Sequence, residues 1–178
     1  MLAALILLAT APAAAAQTGP APPDGTAAEH ETAIGMVLAR HAESDCEDPA
    51  SDHMKRFRGI ASTLSPTATL FAIPCTASGA NTTYRLYVRE SGEVGGVTVL
   101  YFATWSKDHG WSGTDLLYNI ALDGPRLTAH YKASAKGDCG TYGEWTWTGY
   151  AYRLDRFAVE ERCQGRRPAD WRRVYPAS

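Results

Sequence analysis

The spacing of apolar and polar positions along this 178-residue chain changes once, near Gly59, from a helical period to an alternating one. Ahead of the change, Ile34, Val37 and Leu38 recur at the three- and four-residue intervals of one helical face. Thr26 with Glu29 three residues later forms a capping box, so a helix is predicted from Ala27 to Ser44, weakened internally by Gly35. A second, shorter helical turn is predicted from Ser51 to Arg58.

After Gly59, β-branched and aromatic residues alternate with polar ones between closely spaced turn signals. Strands are predicted at Ile60–Leu64, Thr69–Ile73, Thr82–Arg89, Val97–Ala103, Leu116–Ala121, Arg126–Ala133, Gly143–Thr148, Tyr150–Glu160 and Arg172–Tyr175. Turns fall at Ser65-Pro66, Glu90-Ser91-Gly92, Asp123-Gly124-Pro125 and Thr148-Gly149. Connections this short leave no room for helical crossovers, which makes the sheet antiparallel. The expected fold class is therefore α+β, an N-terminal helix packed on an antiparallel β-meander and stapled by disulfides. From Arg126 to Lys132, alternation sends Leu127, Ala129 and Tyr131 one way, and Thr128, His130 and Lys132 to a wetter side. In the last hairpin Trp145, Trp147, Tyr150, Tyr152 and Leu154 keep phase while Phe157 and Val159 do not, so a bulge is predicted near Asp155-Arg156.

The chain opens with an apolar run, Leu2 to Ala9, too short to span a bilayer and followed by Ala14-Ala15-Ala16-Gln17. That is the form of a secretory signal with a small-residue cleavage site. Residues 1–16 are accordingly read as a signal peptide, 17–25 as a flexible leader and 26–178 as a single α+β domain. A soluble periplasmic or secreted protein is expected. Four cysteines in such a chain form an even set that an oxidising compartment pairs, and none is spaced Cys-x-x-Cys. Of three possible pairings, Cys46–Cys75 with Cys139–Cys163 is expected, because each closes within one local unit. The chain-entropy model assigns each loop about 3.5 kcal/mol of stabilisation.

Charge is divided unevenly: residues 24–52 carry eight acids against one arginine, and residues 153–178 carry seven arginines against four acids. Arg162, Arg166, Arg167, Arg172 and Arg173 offer an anion-facing patch for envelope polymers or lipid head groups, or the acidic N-terminal unit simply sits solvated or packs against this basic end of the sheet. The net charge of −2 argues against nucleic acid as a partner. No Gly-x-Ser-x-Gly or Ser-x-x-Lys motif occurs, and Ser106, Asp108 and His109 are sequence neighbours of a kind that rarely meet as a triad. His41, Glu43, Asp45, Glu47, Asp48, Asp52 and His53 lack metal-site spacing, so neither a metal nor a cofactor is expected. The possible ligand contacts are Asp108, His109 and Trp111 in the polar loop Lys107 to Asp115, with His130, Asp138 and Glu144 around the aromatic hairpin.

Leu117-Tyr118-Asn119, Gly137-Asp138-Cys139-Gly140, Glu144-Trp145-Thr146-Trp147, Tyr152-Arg153-Leu154, Cys163-Gln164-Gly165 and Asp170-Trp171 together resemble the bacterial envelope family catalogued as domain of unknown function 1176. Ala72-Ile73-Pro74-Cys75 with Gly79-Ala80-Asn81 is similar to that family's other signature. These motifs run from about Cys46 to Tyr175, so the chain is expected to correspond to the C-terminal half of the family pattern. The resemblance implies export and disulfides and brings no mechanism. The expected role is a monomeric, non-enzymatic binding or envelope-maintenance module for an envelope glycan or protein. The alternatives are a glycan-active enzyme using Glu144 or Asp138, and an inhibitor of an envelope hydrolase presenting the Lys107 to Asp115 loop.

Overall fold

The helix turns inward Ile34 and Val37, as its spacing predicts, but His41 in place of Leu38. The structure, a computed structural model, describes residues 27–91 and 96–176, with side chains from Glu31 onward. The expected signal peptide, leader, capping box and Gly92 turn lie outside the described residues. Helix α1 spans Ala27–Ala42, two residues short of the predicted end. Val37 and His41 are buried, Ala33 and Ile34 pack beside Val37, and Leu38 is exposed. His41 can take the inward place of Leu38 because its Nδ1 bonds the buried Tyr87 hydroxyl at 2.9 Å.

Among the described residues twelve strands follow: β1 (Ile60–Ser65), β2 (Ala68–Ser78), β3 (Asn81–Glu90), β4 (Val97–Val99), β5 (Phe102–Ser106), β6 (Gly110–Thr114), β7 (Leu116–Tyr118), β8 (Ala121–Asp123), β9 (Arg126–Lys132), β10 (Gly140–Trp147), β11 (Tyr152–Glu160) and β12 (Arg172–Tyr175). All pairings are antiparallel. The fold is α+β, and its meander divides into two sheets. The first has the order β1-β2-β3, with β4 and β7 sharing the free edge of β3. The second has the order β12-β11-β10-β9-β8, and β5 and β6 form a separate hairpin.

Three predicted elements need correction. The strand expected over 97–103 breaks after Val99, where the Leu100 N–H bonds Leu86 O and the chain leaves β3 for the hairpin. The strand expected over 116–121 breaks at Asn119, whose φ of 43° turns the chain from the first sheet into the second. The expected loop from Lys107 to Asp115 is mostly strand β6.

The two sheets share one core. Leu70, Ala72, Leu86 and Val88 of the first meet Leu127, Ala129, Trp145 and Phe157 of the second. Phe71, Ile73 and Tyr87 point the other way, into the helix. β2 is thus buried on both faces, which is why its sequence reads as an apolar run with no alternation. The bulge falls where it was expected: Glu144 pairs with Arg156 and Trp145 with Leu154, leaving Asp155 as the extra residue. That extra residue returns Phe157 to the side of Trp145. Both expected disulfides form, Cys46–Cys75 and Cys139–Cys163. The first ties the chain beyond α1 to β2; the second ties the β9–β10 turn to the segment beyond β11.

Candidate functional site

Most of the chemistry-bearing side chains of the second sheet lie on its outer face, and most are engaged with one another. The segment from Glu161 to Trp171 crosses this face as a strap. Arg156, on β11, holds it: one guanidinium nitrogen donates to Glu144 at 3.1 Å, and the other to the carbonyls of Pro168 and Ala169 at 2.7 and 3.1 Å. The Arg156 guanidinium also lies 5.7 Å from the Tyr142 ring centre. The Asp138 carboxylate accepts from Ser134 Oγ at 2.6 Å and from the Gly165 N–H at 2.8 Å. These bonds hold its pKa below the ordinary carboxylate value. Trp171 closes the strap edge-on against His130, with ring centres 5.3 Å apart, and its Nε1 donates to Arg166 O. Burial, with Lys132 a smaller cause, lowers the pKa of His130. His130 does lie on the face opposite Leu127, but Trp171 and Tyr142 cover it.

Beside the strap the outer face opens into a groove of 570 Å³ whose lining includes Arg126, Thr128, Glu144, Thr146, Arg153 and Asp155. Its charges are largely spoken for. Asp155 accepts from Thr146 Oγ1 at 2.5 Å and from Arg153 at 3.0 and 3.2 Å, and its pKa is lowered, first by Thr146. A carboxyl held as the anion is a poor general acid, and Glu144 is bound to Arg156.

A second groove, of 290 Å³, lies between the sheets. Its floor is Leu116, Leu117, Ala129, Gly143, Trp145 and Phe157; its polar groups are the hydroxyls of Thr104, Ser106, Thr114 and Thr141 with the rim tyrosines Tyr118 and Tyr131. No charged side chain lines it. The rim rings sit 5.0 Å apart and are 38% and 39% exposed. The indole of Trp145 folds over Gly143: a Cβ there would meet Trp145 Cη2 at 2.1 Å, so only glycine admits the ring. Trp145 is 2% exposed, and its Nε1–H has no partner in the protein.

Asparagines hinge the two sheets beside this groove. Asn119 Oδ1 accepts from the Thr82 N–H at 3.0 Å, while its Nδ2 donates to Asn81 Oδ1 and His130 O at 2.9 and 2.8 Å. Asn81 reaches Lys132 with both ends of its amide. Together they stitch β3 to β9 and fix the gap between the layers.

The residues singled out by sequence are scattered across this surface. Asp108 and His109 are exposed at the tip of the β5–β6 hairpin. Trp111 is 45% exposed, with its ring edge-on to Phe157 and Tyr175. Glu144 lines the outer groove; Asp138 lines a depression with Lys136, Arg166 and Arg167. Of the acid-rich front, Glu47 pairs with His53, Asp52 with Lys55, Glu43 with Arg40 and Asp45 with Arg85. Among the basic tail, Arg166 pairs with Glu160, Arg167 with Asp170, and Arg172 lies over Trp105. The intersheet groove was missed. Its available signal was Tyr131, which alternation put on the core face although a tyrosine at a sheet end seldom buries its hydroxyl.

Fold and geometry thus define an α+β protein with a helix over one of two main sheets, stapled by two disulfides, with an uncharged groove between its layers. The chain belongs to the family described as "Protein of unknown function (DUF1176)", whose model matches residues 6–178. That span takes in the N-terminal residues as well as the signature motifs and replaces the expectation of a C-terminal half. No curated protein and no solved structure matches the chain.

Proposed function

We propose that this chain is an exported, non-enzymatic binding module of one domain whose ligand seats in the intersheet groove. Two disulfides, the apolar run at the start of the chain and the lack, among the described residues, of a helix long and apolar enough to cross a membrane all accord with a periplasmic or secreted location. The observation that carries the reading is the contrast between the grooves. A ligand seat is concave and mainly apolar with a few polar groups, and the intersheet groove has that composition. The outer groove is larger, but two of its three carboxylates are engaged, Glu144 with Arg156 and Asp155 with Arg153 and Thr146. Asp138 and Glu144 are assigned to holding the strap, in place of contacting ligand.

The test is thermal melting of the oxidised protein against short acyl esters, peptidoglycan disaccharide and envelope peptides. At least one should raise the midpoint by mass action. Thr104→Trp, which fills the groove from β5, should abolish that rise. A rise that survives Thr104→Trp, or no rise at all, overturns the reading. Turnover of the disaccharide that disappears in Glu144→Gln would establish the glycan-active alternative instead.

A further inference from the structure

We infer that the ligand of the intersheet groove is a neutral molecule with an apolar body and a carbonyl-type oxygen, which accepts the orphaned Trp145 Nε1–H; the inference rests on the groove being the binding seat. Two observations select this chemistry. The lining holds no charged side chain, so an ionic head group placed within it would be desolvated without a counter-ion. The indole N–H of Trp145 is a donor only, it is buried, and it meets no acceptor in the protein. A buried donor left unpaired is costly; the N–H is covered, so a small shift of the indole or its neighbours accompanies entry of an ester, amide or ketone oxygen, which then removes that cost. Trp145 shares the inner face of β10 with Thr141 and Gly143, which line the same groove. The volume of 290 Å³ equals that of roughly ten water molecules, which suits a short acyl chain or one ring and not a polymer segment.

The probes are methyl octanoate, octanoate and octylammonium, which share a chain and differ in head-group charge. Methyl octanoate should bind at least tenfold more tightly than either ion. Trp145→Phe keeps a ring over Gly143 and removes the donor; it should weaken methyl octanoate by about five- to tenfold, the worth of one net hydrogen bond. In wild-type protein, the one indole N–H resonance missing from Trp145→Phe should move downfield on adding the ester. If Trp145→Phe fails to fold, that wild-type shift, assigned through neighbouring groove residues, still decides the matter. Octanoate binding within twofold of the ester, an unmoved Trp145 resonance, or no binding of any probe overturns the proposal. Ester binding that persists in Thr104→Trp overturns the groove itself, a different failure from binding that Thr104→Trp blocks and Trp145→Phe leaves unchanged.

Discussion

Each sheet has an outer face to cover, and the two are covered by opposite means. On the first, α1 lays Ala33, Ile34 and Val37 over Phe71, Ile73 and Tyr87, a contact that is apolar apart from the His41–Tyr87 hydrogen bond. On the second, a strap with one short 3-10 turn is held by Arg156, Asp138 and a disulfide, and Trp171 is its one buried side chain. Apolar contact is non-directional and grows with area, whereas the strap depends on a few bonds with fixed partners. The helix should therefore loosen only with the whole fold, while the strap can detach by itself.

The largest expected effect comes from attacking the helical cover. Phe71→Ala empties a fully buried position between α1 and the first sheet and should cost about 3–5 kcal/mol, read from the denaturant midpoint. Amide exchange should then accelerate across the whole protein. If exchange rises in α1 alone, the helix is an independent unit and the contrast is drawn wrongly.

A smaller and more local loss is expected at the strap. Arg156→Met keeps the aliphatic stem and removes three charge-assisted bonds, to Glu144 and to the Pro168 and Ala169 carbonyls, so about 2–3 kcal/mol should be lost. Exchange at residues 164–171 should speed up while α1 keeps its protection. Equal loosening of both would mean that strap and helix form one cooperative layer.

The same contrast explains what could be read from sequence. Apolar contact leaves a period, so the helix, the strand meander and even the Asp155 bulge were legible from Ile34, Val37 and the phase slip at Phe157. Local closure likewise made both disulfides legible. Directional anchoring leaves no period. Asp138, Glu144 and the arginines looked like a site because their partners, the Gly165 N–H and the Pro168 carbonyl, are backbone groups that any residue carries. Asn119 was hidden for the same reason: its positive φ and amide contacts depend on Thr82 and His130 being brought beside it. The groove depends on the spacing between two sheets, which no strand encodes alone.

The smallest expected effect is one that the two covers share. His41 on the inner face of the helix and His130 beneath the strap both have pKa values lowered from 6.5, chiefly by burial, with Arg85 and Lys132 respectively as the next cause. A base with a depressed folded pKa binds fewer protons folded than unfolded, so stability rises with pH through the window between the two values. It is fully present above 6.5, falls as the pH drops below 6.5, and stops falling once the folded pKa is passed. The carboxylates Asp138 and Asp155, also depressed, act in a separate window below 3.8. Melting temperature should therefore decline from pH 7 to pH 5. His130→Gln should remove part of that decline and slow strap exchange at pH 5, whereas His41→Gln should remove its part without altering the strap. A flat profile from pH 7 to pH 5 would mean that neither imidazole is held neutral, and that the strap opens to admit water at His130 before acid has any effect.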